Sequence, residues 1–251
     1  MNYFLPLASC FLFLASELSA QVIGGEITKL EELYNKGKFE DCGWKAQDLI
    51  DSGNEKYTKK PEPYLYISMC YYEIHFSDDE KMKADYKTAL KDALKHAVKM
   101  RQYDKEANFY NDNKDFLDKL RQACLDEAKA LMDKKDYSKA SSYYYKPLVK
   151  LDPDNIELLF VKGVCDALMR NSSEAYKSIN DAMPLLNKKA EAGNYKAPEM
   201  IEPALSDAFV NYSTLLKDQS YPDSAKAIII FGKVLLPLDK AVDEQYKKFG
   251  N

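Results

Sequence analysis

Histidine and cysteine are the side chains of this chain that most often do chemistry near neutral pH, and both are few and scattered. The two histidines are His75, at the end of a predicted helix, and His96, on a charged helix. We interpret each as a surface or hydrogen-bonded histidine rather than a catalyst. No G-x-S-x-G, H-E-x-x-H or glycine-rich phosphate loop occurs. We therefore expect no enzymatic activity, no cofactor and no bound metal.

The cysteines beyond the N-terminal region are Cys42, Cys70, Cys124 and Cys165, widely spaced and without a C-x-x-C pair. That spacing fits neither a zinc site nor a redox motif. All four fall inside predicted helices, so we interpret them as buried free thiols. A single disulfide between neighbouring helices after export is the alternative, and the spacing does not assign its pairing.

The charged residues are many and nearly balanced, with 36 Lys+Arg against 40 Asp+Glu, interspersed along the chain. A nucleic-acid binder would show a basic face or stripe, so we expect no nucleic-acid partner. Asp112, Asp115 and Asp118 lie close together but lack the glycine and terminal glutamate of a calcium loop. We interpret them as a solvated helix N-terminus, and no small-molecule substrate is indicated.

The N-terminus resembles an export signal. Phe4 to Ala15 form an apolar run, followed by small residues up to Ala20. A run of about 12 residues is too short for a bilayer, which needs roughly 20. We predict a signal peptide over 1–20, a mature domain over 21–251, and a location in the periplasm or at the cell surface. Lipidation at Cys10 is the alternative, disfavoured because the apolar run continues beyond it.

Helical periodicity fills the rest of the chain. Only 9 Gly and 10 Pro are present, too few for the many turns of a β-sandwich or barrel. Apolar residues recur three and four positions apart in successive segments. The predicted helices cover 27–34, 39–50, 64–76, 80–102, 116–135, 137–150, 156–169, 173–186, 201–217 and 224–249. Such helices with short turns form hairpins, and about five hairpins in a row form an all-α solenoid.

One segment carries a more specific pattern. In residues 156–189, large and small side chains alternate as if two helices met at the small ones: Leu159 and Ile179 are large, and Gly163, Ala175 and Ala182 are small. This pattern resembles a tetratricopeptide repeat of about 34 residues. The resemblance implies a right-handed solenoid in which small residues let neighbouring backbones touch.

The neighbouring segments resemble the same family less closely. Ala140 matches the start of a second helix, but one extra residue separates it from Pro153, and Pro147 stands where a small alanine is usual. Ala225 and Gly232 fit the small positions of the last pair. The resemblance covers most of 27–249 in about five units.

The resemblance implies a concave groove lined by the first helix of each pair. Family members that grip acidic peptide tails use Lys and Asn there; the corresponding residues of this chain are Leu125, Lys129, Phe160, Val164, Val210 and Thr214. The set of Lys and Asn residues that binds an acidic peptide tail is therefore missing from this chain. We hypothesise that Phe160, Val164 and Val210 anchor an extended segment or a helix of another protein. The alternative is that they pack against a neighbouring helix.

The C-terminal helix is the second candidate surface, because 227–231 and 234–238 are apolar on nearly every face. Either 239–249 folds back to cover it, or Ile228, Phe231 and Leu235 form a docking or self-association surface. The sequence thus predicts a non-catalytic scaffold of the cell envelope that binds a protein partner. A structural subunit of an envelope homo-oligomer is the alternative, and an exported enzyme is less favoured.

Overall fold

The computed structural model describes Val22 and residues 25–250, so the predicted signal peptide and Cys10 lie outside it. Within these residues the chain forms helices joined by turns, with no strand. The predicted all-α solenoid is confirmed. No helix of this part of the chain is long and apolar enough to cross a bilayer.

Residues 28–103 form six helices: α1 (Thr28–Asn35), α2 (Phe39–Asp51), α3 (Glu55–Thr58), α4 (Pro61–Phe76), α5 (Glu80–Asp85) and α6 (Ala89–Tyr103). The single helix predicted over 80–102 is wrong, because the chain leaves helical geometry at Tyr86 (φ −114°, ψ 49°). The Tyr86 ring instead packs on Tyr71 of α4, with centroids 6.0 Å apart. The helix is therefore interrupted at Tyr86, and this residue contacts another helix instead.

The central region follows with α7 (Asn108–Asp112), α8 (Lys114–Asp133), α9 (Tyr137–Lys139), a π-helical segment (Ala140–Tyr145), α10 (Lys146–Leu151), α11 (Ile156–Leu168) and α12 (Ser172–Glu191). From α9 to α10 the helix is continuous. In the π segment the N–H of Lys146 donates to the carbonyl of Ser141, five residues earlier. A π segment accommodates one extra residue in a helix, which accounts for the extra residue before Pro153.

The C-terminal region contains α13 (Glu202–Asp218), α14 (Pro222–Leu235) and α15 (Lys240–Gly250). The single helix predicted over 224–249 is wrong, because the chain turns at Leu236 (φ −124°, ψ 64°) just before Pro237. Asp239 then starts α15, since its Oδ1 accepts hydrogen bonds from the Val242 N–H and the Ser206 hydroxyl, each 2.8 Å long. The alternative in which the C-terminus folds back is confirmed.

Within the helix pairs, α4 packs on α6, α11 on α12, and α13 on α14. Successive pairs are joined by contacts of α2 with α4 and of α11 with α13. Gly163 lies where α11 meets α12, and a Cβ there would be 2.8 Å from Ile179 Cγ1. Gly232 repeats this arrangement in the last pair, against Phe209. The other small positions are buried at these interfaces: Ala140, Ala175, Ala182 and Ala225. Ile179 is buried beside them, and Leu159 is half-buried at the edge of the core.

Candidate protein-interaction surfaces

The groove predicted along the first helices is filled by the protein itself. Phe160 and Val164 are fully buried. The Phe160 ring lies 4.8 Å from that of Phe209 and 6.5 Å from that of Tyr212, both on α13. The structure corrects this part of the prediction, because these side chains pack against the neighbouring helix and present no surface to a partner.

A surface ion pair bridges the groove between α8 and α13, since Lys129 Nζ lies 2.7 Å from Asp207 Oδ2. The cavity lined by these two residues and by Val161 and Val164 of α11 holds about 50 Å³, which fits a few water molecules but no peptide. Val210 is half-buried, and its carbonyl accepts hydrogen bonds from the Ser213 and Thr214 hydroxyls.

The residues of the second predicted surface lie on the packed sides of α14. Leu235 is buried, and Ile228 and Phe231 are half-buried. The Phe231 ring packs edge-on against Phe209, with centroids 5.9 Å apart. These three residues therefore face the core and do not form a docking surface while α14 is packed in this way.

The fold-back of α15 covers one further side of α14 and α13. Val242 is buried, and Gln245 Nε2 donates to Thr214 Oγ1 of α13 over 2.9 Å. Lys233 of α14 lies 2.7 Å from Asp243. Hydrogen bonds from Lys233 and Lys247 lower the pKa of Asp243 to about 2. The carboxylate therefore stays charged, and the ion pair persists, over the physiological pH range.

One side of α14 remains open. Ile230 and Val234 lie one turn apart on this side and are 40% and 60% exposed, and Leu238, in the turn that follows the helix, is 94% exposed. We call these three residues the C-terminal stripe. Contiguous exposed apolar side chains on a soluble domain often mark an interaction site. The sequence did not reveal this face, because α14 is apolar on nearly all sides and only the position of α15 decides which side stays open.

Positive charge borders the C-terminal stripe. Lys226 and Lys233 lie two turns apart beside it on α14, and Lys240 follows at the start of α15. Lys226 and Lys240 are exposed, whereas Lys233 is engaged by Asp243. Three carboxylates also lie here: Asp223 in the first turn of α14, Asp239 after Leu238, and Asp243 on Lys233. Asp239 and Asp243 are already bound within the protein, so Lys226 and Lys240 outnumber the remaining carboxylate, that of Asp223.

A wider cleft of about 610 Å³ lies at the edge where α8 and α11 begin. At its centre, Arg121 binds both oxygens of Asp152, with Nε–Oδ2 at 2.5 Å and Nη2–Oδ1 at 3.0 Å. Asp118 and the Tyr110 hydroxyl complete the network. Because these charges bind one another, we interpret the cleft as a buried polar network that joins α7, α8 and the α10–α11 turn. The earlier interpretation of Asp118 as merely solvated is incomplete, since it pairs with Arg121.

The two histidines are packed among aromatic rings. His96 Nδ1 lies 2.9 Å from the Asp92 carbonyl oxygen, and its ring stacks on Tyr71. His75 packs edge-on against Phe76. Burial lowers the pKa of both imidazoles. In the described part of the chain, no three His, Cys, Asp or Glu side chains are placed to hold a metal ion.

No protein-family model matches the chain, and no curated protein matches it either. Among solved structures, the chain aligns with one titled "TPR2AB-domain:pHSP90-complex of yeast Sti1". The alignment covers 91% of this chain and 87% of that chain, with 15% sequence identity and a TM-score of 0.34.

Proposed function

We propose that this protein is a non-catalytic scaffold of the cell envelope that docks a protein partner on the C-terminal stripe. The observation that carries the proposal is the solvent exposure of Ile230 and Val234 on α14, and of Leu238 in the turn that follows it. A protein interface gains most from apolar side chains that lose water on contact.

The border of the stripe indicates the chemistry of the partner. An amphipathic helix lying in this position would set its apolar row on the stripe and its flanks beside Lys226 and Lys240. Acidic flanking residues would complement that charge. A second copy of this chain fits less well, because a symmetric contact would bring the exposed Lys226 and Lys240 of both copies to the same interface, where like charges repel. We therefore propose an amphipathic helix with acidic flanks as the partner element.

Two designed helical peptides test this proposal. Both carry the same apolar row; one is flanked by glutamates and the other by lysines. Fluorescence anisotropy should show tighter binding of the acidic peptide and weaker binding with added salt. Val234→Glu should weaken binding of the acidic peptide about tenfold or more, since burial of an aliphatic side chain is worth about 1.5–3 kcal/mol.

The matched control is Tyr176→Glu, which places the same charge at a position on α12 that is 74% exposed and distant in sequence. Equal affinity for both peptides, or an affinity that Val234→Glu leaves unchanged, would refute the proposal. Light scattering separates the alternative: a concentration-dependent dimer that Val234→Glu dissociates would show that a second copy covers the stripe, as in an envelope homo-oligomer.

The envelope location is proposed from the sequence of residues 1–20 alone. Fractionation of the source cells and mass spectrometry of the mature N-terminus test it. A chain that begins at Gln21 in the exported fraction supports the proposal. A lipidated Cys10 would change the cleavage site and keep the export. A full-length chain in the cytosolic fraction would refute the location.

A further inference from the structure

Two of the four described cysteines lie side by side across the interface of α2 and α4. Cys42 is fully buried and Cys70 is 1% exposed. The next residue, Gly43, is close enough that a Cβ there would lie 3.8 Å from Cys70 Cβ. Both thiols are free in this structure, as the sequence predicted. The Cys42 thiol donates to the carbonyl oxygen of Leu30 over 3.4 Å, and the Cys70 thiol lies beside it, with Tyr34 and Tyr66 close to both.

The other two cysteines lie elsewhere in the core. The Cys165 thiol donates to the carbonyl oxygen of Tyr137 over 3.4 Å, on the interface of α11 with α9. Cys124 lies on α8, with Glu127 and Arg121 as its nearest charged groups. The structure thus singles out one pair, where the spacing of cysteines in the sequence left every pairing open.

We propose that Cys42 and Cys70 form a disulfide when the chain folds in the presence of a disulfide oxidant, and that this bond fixes α2 to α4. One cysteine thiolate attacks the oxidant RSSR, forming a mixed disulfide and releasing one RSH. The second cysteine attacks the mixed disulfide, forming the Cys42–Cys70 bond and releasing a second RSH. Two thiols are oxidised and one oxidant disulfide is reduced to two thiols, so atoms and electrons balance.

The burial of both thiols determines when this reaction takes place. In the folded protein, burial raises the pKa of the Cys70 thiol, so little thiolate is present and the oxidant has no access to it. During folding both cysteines are exposed and react. Once closed, the bond is buried and protected from reductants. The bond also closes the chain between α2 and α4, which restricts the unfolded state and raises stability.

The test refolds the reduced full-length protein either in oxidised and reduced glutathione or in dithiothreitol alone. Free thiols are then alkylated under denaturing conditions and the chain is mapped by proteolysis and mass spectrometry. We expect the peptide containing Cys42 to be joined to the one containing Cys70. The melting temperature of the glutathione sample should exceed that of the dithiothreitol sample by roughly 5 to 10 °C.

Single substitutions supply the controls. Cys70→Ala should abolish this difference in melting temperature, whereas Cys124→Ala should retain it. The mapping needs no variant, so the test survives if Cys70→Ala does not fold. Full alkylation of Cys42 and Cys70 after oxidative refolding, or another pairing in the majority of molecules, would overturn the inference. The result is independent of what binds the C-terminal stripe.

Discussion

Replacing Gly163 by alanine adds one methyl group where α11 approaches α12 closely. The added Cβ would lie 2.8 Å from Ile179 Cγ1, 3.0 Å from Ser178 Cβ and 3.1 Å from the Ile179 backbone nitrogen. Distances this short require atoms to move, and a backbone nitrogen within a helix moves less easily than the end of a side chain. We expect Gly163→Ala to push the two helices apart.

The size of the effect follows from two opposing contributions. Alanine in place of glycine within a helix stabilises by about 0.8–1 kcal/mol. Overpacking of a well-packed core destabilises by about 1–3 kcal/mol. At Gly163 we expect the cost of overpacking to exceed the gain in helix propensity, so the free energy of unfolding should fall by about 1 kcal/mol or more. Gly43 of α2 offers the matched control, since an added Cβ there meets only Cys70 Cβ, at an ordinary contact distance of 3.8 Å.

Gly43→Ala should therefore stabilise the protein by up to about 1 kcal/mol, because only the gain in helix propensity remains. The assay is urea unfolding of both variants under reducing conditions, followed by circular dichroism. We expect the two midpoints to move in opposite directions, with free energies of unfolding about 2 kcal/mol apart. If Gly163→Ala proves as stable as Gly43→Ala, close contact at small residues does not hold the hairpin together.

Two further predictions concern buried ionisable groups. Asp166→Ala should lower the free energy of unfolding by about 3 kcal/mol or more, because it removes the carboxylate 2.8 Å from the buried Lys162 ammonium. Urea unfolding measures this loss. A loss below about 1 kcal/mol would show that Glu174, 3.0 Å from Lys162, suffices as its partner. Because burial lowers the pKa of His96 below its ordinary 6.5, the unfolded chain takes up a proton first as the pH falls. The contribution of His96 to stability should therefore be fully present above pH 6.5 and decrease below it. His96→Gln should reduce the dependence of the free energy of unfolding on pH between pH 6.5 and 5. An unchanged dependence would show that a group other than His96 takes up the proton.

Helix existence and pairing follow from the sequence because each hairpin is built from local signals. The turn at Gly37, with φ +68°, uses the residue that adopts this conformation most easily. Pro61 begins α4, a position that proline tolerates. The small positions Gly163 and Ala182 lie where the repeat pattern puts them, because the spacing of large and small side chains directly encodes a helix–helix contact.

The features that the sequence did not predict depend on contacts between distant segments. The break at Tyr86 follows from a contact with Tyr71 on another helix. The groove is bridged by the ion pair of Lys129 and Asp207, which lie 78 residues apart in the sequence. The side of α14 that carries Val234 stays open only because α15 covers a different side. Periodicity identifies an apolar face, but it does not identify what will cover that face.

The π segment allows a test of whether one extra residue in a helix can be accommodated without disturbing the packing of the neighbouring helices. Tyr137 to Leu151 is one residue too long for the repeat, and the π turns take up that residue while Ser141 near the start of the segment and Tyr145 at its end remain buried. Deleting the exposed Ser142 should convert the segment to a regular α-helix with both buried faces retained. We expect the melting temperature to change by only a few degrees, corresponding to about 1 kcal/mol or less.

The control deletion is Lys177, an exposed residue of the regular helix α12. Removing it rotates the following residues by about 100° relative to those before it. Ile179, Ala182 or Leu186 would then leave the core, at a loss of several kcal/mol. Circular dichroism and thermal unfolding compare the helix content and the stability of the two deletion variants. Equal damage from both would mean that the π turns are required by the packing of Tyr144 and Tyr145, and that the extra residue is not a tolerated insertion.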